Sequence, residues 1–225
     1  MRDIDFFAEK WYNIYMKTVE NNEIKLRKFG PLSSIKNLYR ILSDAEVSKP
    51  FGFPYDGHAW KLKHEIYDMV KCDIVFEAVL NGKVIGFVDF RIPDHDDVAE
   101  LVESGVFGDD PDFIDFVSER TLEIAYALDK DYIGQGYGKK MTTAAIDKMF
   151  NEYSRACIIA GYFINNNQEN ERSKNLLERL GFVPFQTYKD AFTYADEPVK
   201  LQNTYYINPL IQEYMKQQKE NNENQ

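Results

Sequence analysis

Residues 131 to 139 read Asp-Tyr-Ile-Gly-Gln-Gly-Tyr-Gly-Lys, after an apolar run from Leu122 to Leu128 and before a helical pattern that extends to about Phe150. Alternating glycines at a strand-to-helix junction leave backbone N–H groups bare, and the positive end of the helix dipole points at the same spot. The chemistry suited to such a stretch is the holding of a phosphate. Spacing removes two phosphate loops. A P-loop needs Gly-Lys-Ser/Thr, but Gly138-Lys139 is followed by Lys140, so the magnesium-binding hydroxyl is missing. A dinucleotide fingerprint needs a third glycine where Lys139 stands after Gly134 and Gly136. A second reactive candidate lies just upstream. Glu123 sits inside the apolar run, where a carboxylate is costly unless it is used or paired.

The elements that must position these residues show in the periodicity. Ile4, Phe7, Trp11, Ile14, Tyr15 and Val19 predict an extra N-terminal helix over about residues 3–20. Glu23 to Phe29 predicts a strand, and Ser33 to Leu42 a helix capped by Ser33 or Ser34. Lys49 to Gly57 breaks all regularity with prolines, glycines and aromatics, and helical spacing returns from Trp60 to Val70. Asn81-Gly82 between Asp73–Leu80 and Lys83–Ile92 is a two-residue hairpin signal. Residues 93–119 form an acidic insertion with no Lys or Arg, yet with apolar anchors such as Leu101, Val106 and Val117, so it is expected to fold. It is either a solvated acidic surface or an attractor for a cationic substrate. After the glycine loop, Met141, Ala144, Ala145, Met149 and Phe150 turn an apolar stripe to the sheet. A buried strand over Ala156–Ile164, a polar turn over Asn165–Asn170, and a helix over Ser173–Leu180 stopped by Gly181 follow. Phe182–Tyr188 and Leu201–Ile207 read as a last antiparallel pair. The polar, low-complexity segment 216–225 is expected to be disordered. Residues 1–215 thus make one domain.

Composition narrows the partners. A formal net charge of −10 disfavours nucleic acid and anionic membrane surfaces and favours cations. Cys72 and Cys157 are too few and too far apart for a disulfide framework, and His58, His64 and His95 have no metal-ligand spacing, so no metal is expected. Charges at Asp3, Asp5, Glu9 and Lys10 rule out a secretory signal, and no run is long enough to span a membrane, which points to a cytoplasmic protein. The N-terminal aromatic face suits either packing on its own sheet or a homodimer contact.

Two blocks in order carry a family resemblance. Gly136-Tyr-Gly138 within Ile133-Gly-Gln-Gly-Tyr-Gly138 resembles the Q/R-x-x-G-x-G/A element of the GNAT superfamily of acetyl-CoA-dependent N-acetyltransferases. Ile133 replaces the first Gln or Arg, a position that takes large apolar residues in the branch of ribosomal-protein N-terminal acetyltransferases. Asn170-Glu-Arg-Ser173 followed by Leu176-Leu-Glu-Arg-Leu-Gly-Phe182 is similar to the N-x-x-S/A and L-E-K-L-G-F ending of that branch, and the resemblance covers about residues 23–208. It implies an α/β (α+β) fold of GNAT type: a mixed, mostly antiparallel, twisted sheet with helices on both faces, whose central parallel strands splay around acetyl-CoA as co-substrate. The pantetheine would run along the backbone of Tyr126, Ala127 and Leu128. The pyrophosphate would sit on the amides from Gln135 through Gly136, Tyr137 and Gly138 to Lys139, within the loop begun by Ile133 and Gly134. Asn170 would touch the cofactor arm and Ser173 its thiol end, although a helix cap and an ordinary first-turn serine are the structural alternatives.

The implied reaction is direct acetyl transfer to a primary amine: a protein N-terminus, a lysine, a polyamine or an aminoglycoside-like molecule. It needs a neutral amine, a donor for the thioester oxyanion and a proton for the leaving thiolate. Glu123 is the candidate base, although histone-type relatives place the carboxylate one residue earlier relative to the loop. The Leu128 amide is the candidate oxyanion donor. The tyrosine that many relatives use as thiolate acid falls at Leu177, which leaves Ser173, Tyr162 or water. Two rivals stand beside this reading: a non-catalytic acyl-CoA-binding or partner-binding protein on the same fold, and a nucleotide-binding enzyme.

Overall fold

A computed structural model describes residues 24–51, 57–165, 168–194 and 197–223, so the helix expected over residues 3–20 lies outside the described residues. Eight strands form one sheet: β1 (Ile24–Lys28), β2 (Ile74–Leu80), β3 (Lys83–Arg91), β4 (Thr121–Leu128), β5 (Cys157–Asn165), β6 (Gln168–Glu169), β7 (Val183–Tyr194) and β8 (Glu197–Ile207). Their order is β1-β2-β3-β4-β5-β8-β7, with β6 beside β5. The β2–β3 hairpin turns at Asn81 and Gly82, with φ of 48° and 80°, the paired positive values of a type I′ turn. β4 and β5 run parallel while their other neighbours run antiparallel. Their ladder joins Thr121–Glu123 to Cys157–Ile159 and goes no further. Beyond Glu123 the two central strands diverge, which opens the split that the site requires.

Eight helices are described: α1 (Ile35–Leu42), α2 (Ala45–Phe51), α3 (Ala59–Cys72), α4 (His95–Glu103), α5 (Pro111–Ser118), α6 (Tyr137–Glu152), α7 (Glu171–Leu180) and α8 (Pro209–Glu223). On one face Met141, Ala145, Ile146 and Met149 of α6 and Leu177 of α7 pack on Phe76, Ile85, Val88, Ile124, Ile158 and Tyr162. The other face carries two separate helical groups. Leu38, Ile41, Leu62 and Ile66 of α1 and α3 cover Val75, Phe87 and Ala127. Leu101 and Val117 of α4 and α5 cover Cys157, Ile159 and Ile207. Among the described residues, no such cluster covers the sheet between these two groups.

Three departures from the sequence expectations have clear causes. α2 enters the stretch expected to be irregular, because Asp44 caps it through the Glu46 amide (3.0 Å) while Pro50, which normally argues against a helix, sits one residue from its end. The expected disorder from residue 216 is corrected: α8 runs through to Glu223. Its start has a signal that composition hid, since Asn208 accepts from the Leu210 amide at 3.0 Å and Pro209 occupies the first helical position. The last two strands extend past Tyr188 and before Leu201 into a longer hairpin.

Beneath α1, the wholly buried Glu77 of β2 accepts from Arg27 (2.7 and 2.9 Å) and Ser33 (2.6 Å). Removing Arg27 leaves that charge without its partner. Arg27→Ala should destabilise the protein by about 2 kcal/mol, below the roughly 3–5 kcal/mol of a fully enclosed pair, because the Arg27 side chain is 40% exposed. Urea unfolding monitored by circular dichroism measures this, and an unchanged midpoint would contradict it.

Candidate active site

The glycine loop is held from below. Asp129, buried after β4, pairs with Arg40 and Lys83 and accepts from the Asp131 amide at 3.1 Å, which starts a 3-10 turn over Lys130–Tyr132. Burial opposes its ionisation, but the Arg40 hydrogen bond, the Asp131 amide and the cationic neighbours prevail and hold the carboxyl below its usual range. The Gln135 side chain donates to the Asp131 carbonyl (2.8 Å) and closes the loop on itself. Gly134 and Gly136 have φ of 80° and 81°, where a side chain is strained. Gly136 is also the N-cap of α6 and offers no side-chain acceptor to the first turn, which carries no acidic residue. The first-turn amides of Tyr137, Gly138 and Lys139 therefore have no intrahelical acceptor and point at one place. A recess of about 270 Å³ nearby is lined by Arg40, Asp44, Asp129 and Lys130 among others, and these charges already pair with one another, Lys130 with Asp44 at 2.6 Å.

The end of β4 meets the geometric demand for an oxyanion donor. The Asp129 amide bonds Ile85 of β3 at 2.7 Å. Successive N–H groups of a strand point to opposite edges, so the Leu128 amide, and that of Tyr126 before it, face the split. On the α6–α7 side, the Tyr126 hydroxyl and Ser173 Oγ share a hydrogen bond of 2.8 Å. This bond crosses between the arms of the split, from β4 to the first turn of α7. Burial pushes the Tyr126 phenol up to about 12, so it is a neutral donor. Tyr162 lies in the core, and Leu177 is wholly apolar and buried. Asn170 performs the cap role, accepting from the Ser173 amide at 3.3 Å. Ile133 closes the 3-10 turn and is half-buried.

Glu123 is not a free carboxylate. Arg91, its cross-strand neighbour, grips both oxygens, with Nε to Oε2 at 2.7 Å and Nη2 to Oε1 at 2.6 Å. That bond is also the leading reason why the Arg91 guanidinium is held more firmly protonated than usual. The two parallel N–H donors of the guanidinium fix the orientation of the carboxylate. Of the acidic insertion, Asp96 is fully exposed and Asp94 exposed, whereas Asp97 turns inward. Asp97 accepts from Asn203 of β8 (2.9 Å) and Tyr188 of β7 (3.1 Å), and Tyr188 also bonds Glu100. Burial first, then the nearby carboxylates Glu123 and Asp94, raise the Asp97 carboxyl against the lowering effect of its Tyr188 and Asn203 hydrogen bonds.

The sequence reading missed Asp89 of β3, which is 2% exposed and whose Oδ1 has no hydrogen-bond partner among the described residues. The signal was present: Asp89 interrupts the apolar run Val84–Phe90 as Glu123 interrupts its own.

The comparisons with known proteins agree with this architecture. Residues 23–183 match the model of the acetyltransferase (GNAT) domain family. The chain belongs to the GNAT family. No curated protein matches the sequence. Solved structures with this GNAT fold include a ribosomal-protein-S5-alanine acetyltransferase from Vibrio fischeri (20% identity, 84% of this chain and 96% of that one, TM-score 0.53). A spermidine N-acetyltransferase chimera from Vibrio cholerae and hSSAT aligns at 14% identity over 83% and 96%, with a TM-score of 0.60. The acetyltransferase yncA from Salmonella typhimurium, solved with acetyl-CoA, aligns at 16% over 83% and 94%, with a TM-score of 0.53. As a GNAT protein the chain is of an acetyl-CoA-dependent acyltransferase family, with acetyl-CoA as its co-substrate. Its loop has donors of the kind a phosphate takes, since among the described residues the first-turn amides of α6 have no side-chain cap. No helix among the described residues is long and apolar enough to cross a membrane.

Proposed function

We propose that the protein transfers acetyl from acetyl-CoA to a primary amine that carries further positive charge. The observation that carries this reading is the split beyond Glu123, with the Leu128 amide at its edge, the uncapped first turn of α6 at its mouth and inward carboxylates on the α4 side. When bound, acetyl-CoA supplies the thioester. The pyrophosphate is held by Gln135, Gly136, Tyr137, Gly138 and Lys139, whose backbone N–H groups donate to it. The Leu128 N–H donates to the thioester oxygen as charge develops there. Tyr126 O–H, with Ser173 behind it, gives the proton that the departing sulfur requires. Asn170 keeps Ser173 in place by capping its helix. Glu123 fixes Arg91, and Asp97 with Glu100 gives the acceptor's distal cation an anionic wall.

The test is calorimetric titration with acetyl-CoA, then CoA-thiol release with spermidine, a lysine-containing peptide, an alanine-initiated peptide and an aminoglycoside. Micromolar acetyl-CoA binding and turnover fastest with the amines of highest charge are expected. Tight binding without turnover of any amine would instead support the non-catalytic reading, and stabilisation by ATP or NAD without stabilisation by CoA would refute both.

A further inference from the structure

Three strands each carry a carboxylate on the same face of the sheet: Glu77 on β2 and Asp89 on β3, both buried, and Glu123 on β4, whose side chain is 22% exposed. Such a group is tolerated when it is paired or when it is used. Glu77 is gripped by Arg27, and Glu123 by Arg91. Among the described residues Asp89 has no such ion pair, and its Oδ1 is buried without a donor; Glu77 Oε1 also lacks one, but its Oε2 is held by Arg27 and Ser33. The charged groups that bear on it are Asp73, beyond the end of α3, Arg91 on its own strand and Glu123 on β4, two carboxylates against one guanidinium.

Its surroundings suit an incoming group. Asp89 lies opposite Ala125 in the β3–β4 register, with Phe87 and Ala127 on one side and the Arg91–Glu123 pair on the other, so only the Ala125 methyl faces the aspartate across the strands. Across the split, Gly161 of β5 follows Ile159 at the next position on the same face. Gly161 is exposed and Ala125 half-buried, so this face of the split meets solvent, with Leu201 and Asn203 of β8 leaning over Gly161, where a Cβ would stand 2.8 Å from Leu201 Cδ1. At its far side stands Asp97, held by Tyr188 and Asn203. The Tyr126–Ser173 bond lies on the opposite face, so the two faces can serve the two proton transfers separately.

We infer that Asp89 is the base of the reaction, receiving the acceptor's ammonium group from this face of the split and removing one of its protons. The inference rests on the acetyltransferase reading above. An R–NH3⁺ group gives one proton to the Asp89 carboxylate and becomes R–NH2. Its lone pair forms the N–C bond to the thioester carbon while the C=O pair moves to oxygen. The C–S bond then breaks with its electrons on sulfur. The second nitrogen proton is lost as the amide forms, and the thiolate is protonated through Tyr126, whose proton is restored by that loss. Asp89 returns its own proton to solvent. Burial first, and Asp73 next, push the Asp89 carboxyl up to about 8, which places it near the working pH of a base.

The test compares wild type, Asp89→Asn and Asp89→Glu, using thiol release with spermidine and the other amines named above, from pH 6 to 9.5, with acetyl-CoA binding measured separately. In wild type, kcat/KM should rise with pH up to about 8. In Asp89→Asn that limb should vanish and kcat/KM should fall on the order of 10²–10³-fold, with acetyl-CoA binding unchanged and some activity restored by Asp89→Glu. Folding should survive the Asn change. A carboxyl raised by burial weakens the folded state progressively as pH climbs from its unfolded value near 4 toward about 8, so the variant should melt no lower than wild type at pH 8. An Asp89→Asn enzyme that keeps its activity within about threefold and keeps the pH limb would overturn Asp89 alone. Wild type that binds acetyl-CoA but turns over no amine would overturn the transferase reading and the role of Asp89 with it.

Discussion

Gly136→Val should lower acetyl-CoA affinity by about 100-fold or more while leaving a folded protein. A Cβ at Gly136 meets nothing within 4 Å, so the change does not disturb packing. Its effect is conformational. With φ at 81° a β-branched residue is strained by roughly 1–2 kcal/mol, and the loop relieves this by rotating the peptide that opens α6. Each charge-assisted amide hydrogen bond to phosphate that is lost costs about 1.5–3 kcal/mol, so losing two accounts for the expected drop. The melting temperature should fall by only about 2–6 °C for a chain of this size. Calorimetry and thermal melts on the same sample give both numbers, and micromolar affinity in the variant would remove the loop from the cofactor site.

Gly86→Val is the opposite case, a packing lesion that reaches the site from behind. A Cβ there would stand 2.7 Å from the Ala127 carbonyl oxygen, 2.9 Å from Met141 Sδ and 3.1 Å from Leu128 Cδ1. Met141 can turn away, but the backbone oxygen cannot, so β3 and β4 must separate. Overpacking of this kind should cost about 3 kcal/mol or more, a fall of roughly 6–12 °C in melting temperature. The strand that moves is the one that presents the Leu128 amide. Residual activity measured well below the melting point should therefore also drop, by about 100-fold for a displacement near 1 Å. Normal turnover in a destabilised Gly86→Val protein would show that the end of β4 is not positioned through β3.

How much of this could be seen in the sequence differs from one residue to the next. The glycine loop was legible because its chemistry is backbone chemistry: Gly134 and Gly136 announce positive φ wherever they stand. The Asn170–Phe182 block was legible because a helix cap, an apolar stripe and a stop residue at Gly181 are local. The hairpin at Asn81-Gly82 was legible for the same reason. Asp89 was not. A charge inside an apolar run marks Glu77, Asp89 and Glu123 alike, and what separates them is a cross-strand partner: Arg27 is brought to Glu77 by the β1–β2 register and Arg91 to Glu123 by the β3–β4 register. Register over such distances is a tertiary property. The acidic insertion was legible as folded, but which of its carboxylates face inward depends on Tyr188 and Asn203, some ninety to a hundred residues away. Local reading also failed where one residue type misled, with Pro50 concealing α2 and a low-complexity tail concealing α8.

The short ladder between β4 and β5 bears on cooperativity as well as on ligand access. Three residue pairs join β1–β4 to β5–β8, whereas β5 and β8 alone share nine. The sheet is therefore two well-knit blocks with a thin seam; α6 packs on β1, β3 and β4, α7 packs on β5, and the two helices meet each other across the seam. Blocks so joined open as separate cooperative units unless something else binds them together. In the proposed reading, a ligand whose arm runs from β4 to Ser173 of α7 touches both sides of the seam. Its binding free energy is then shared between them, making co-substrate occupancy a determinant of whether this fold unfolds as one body or as two.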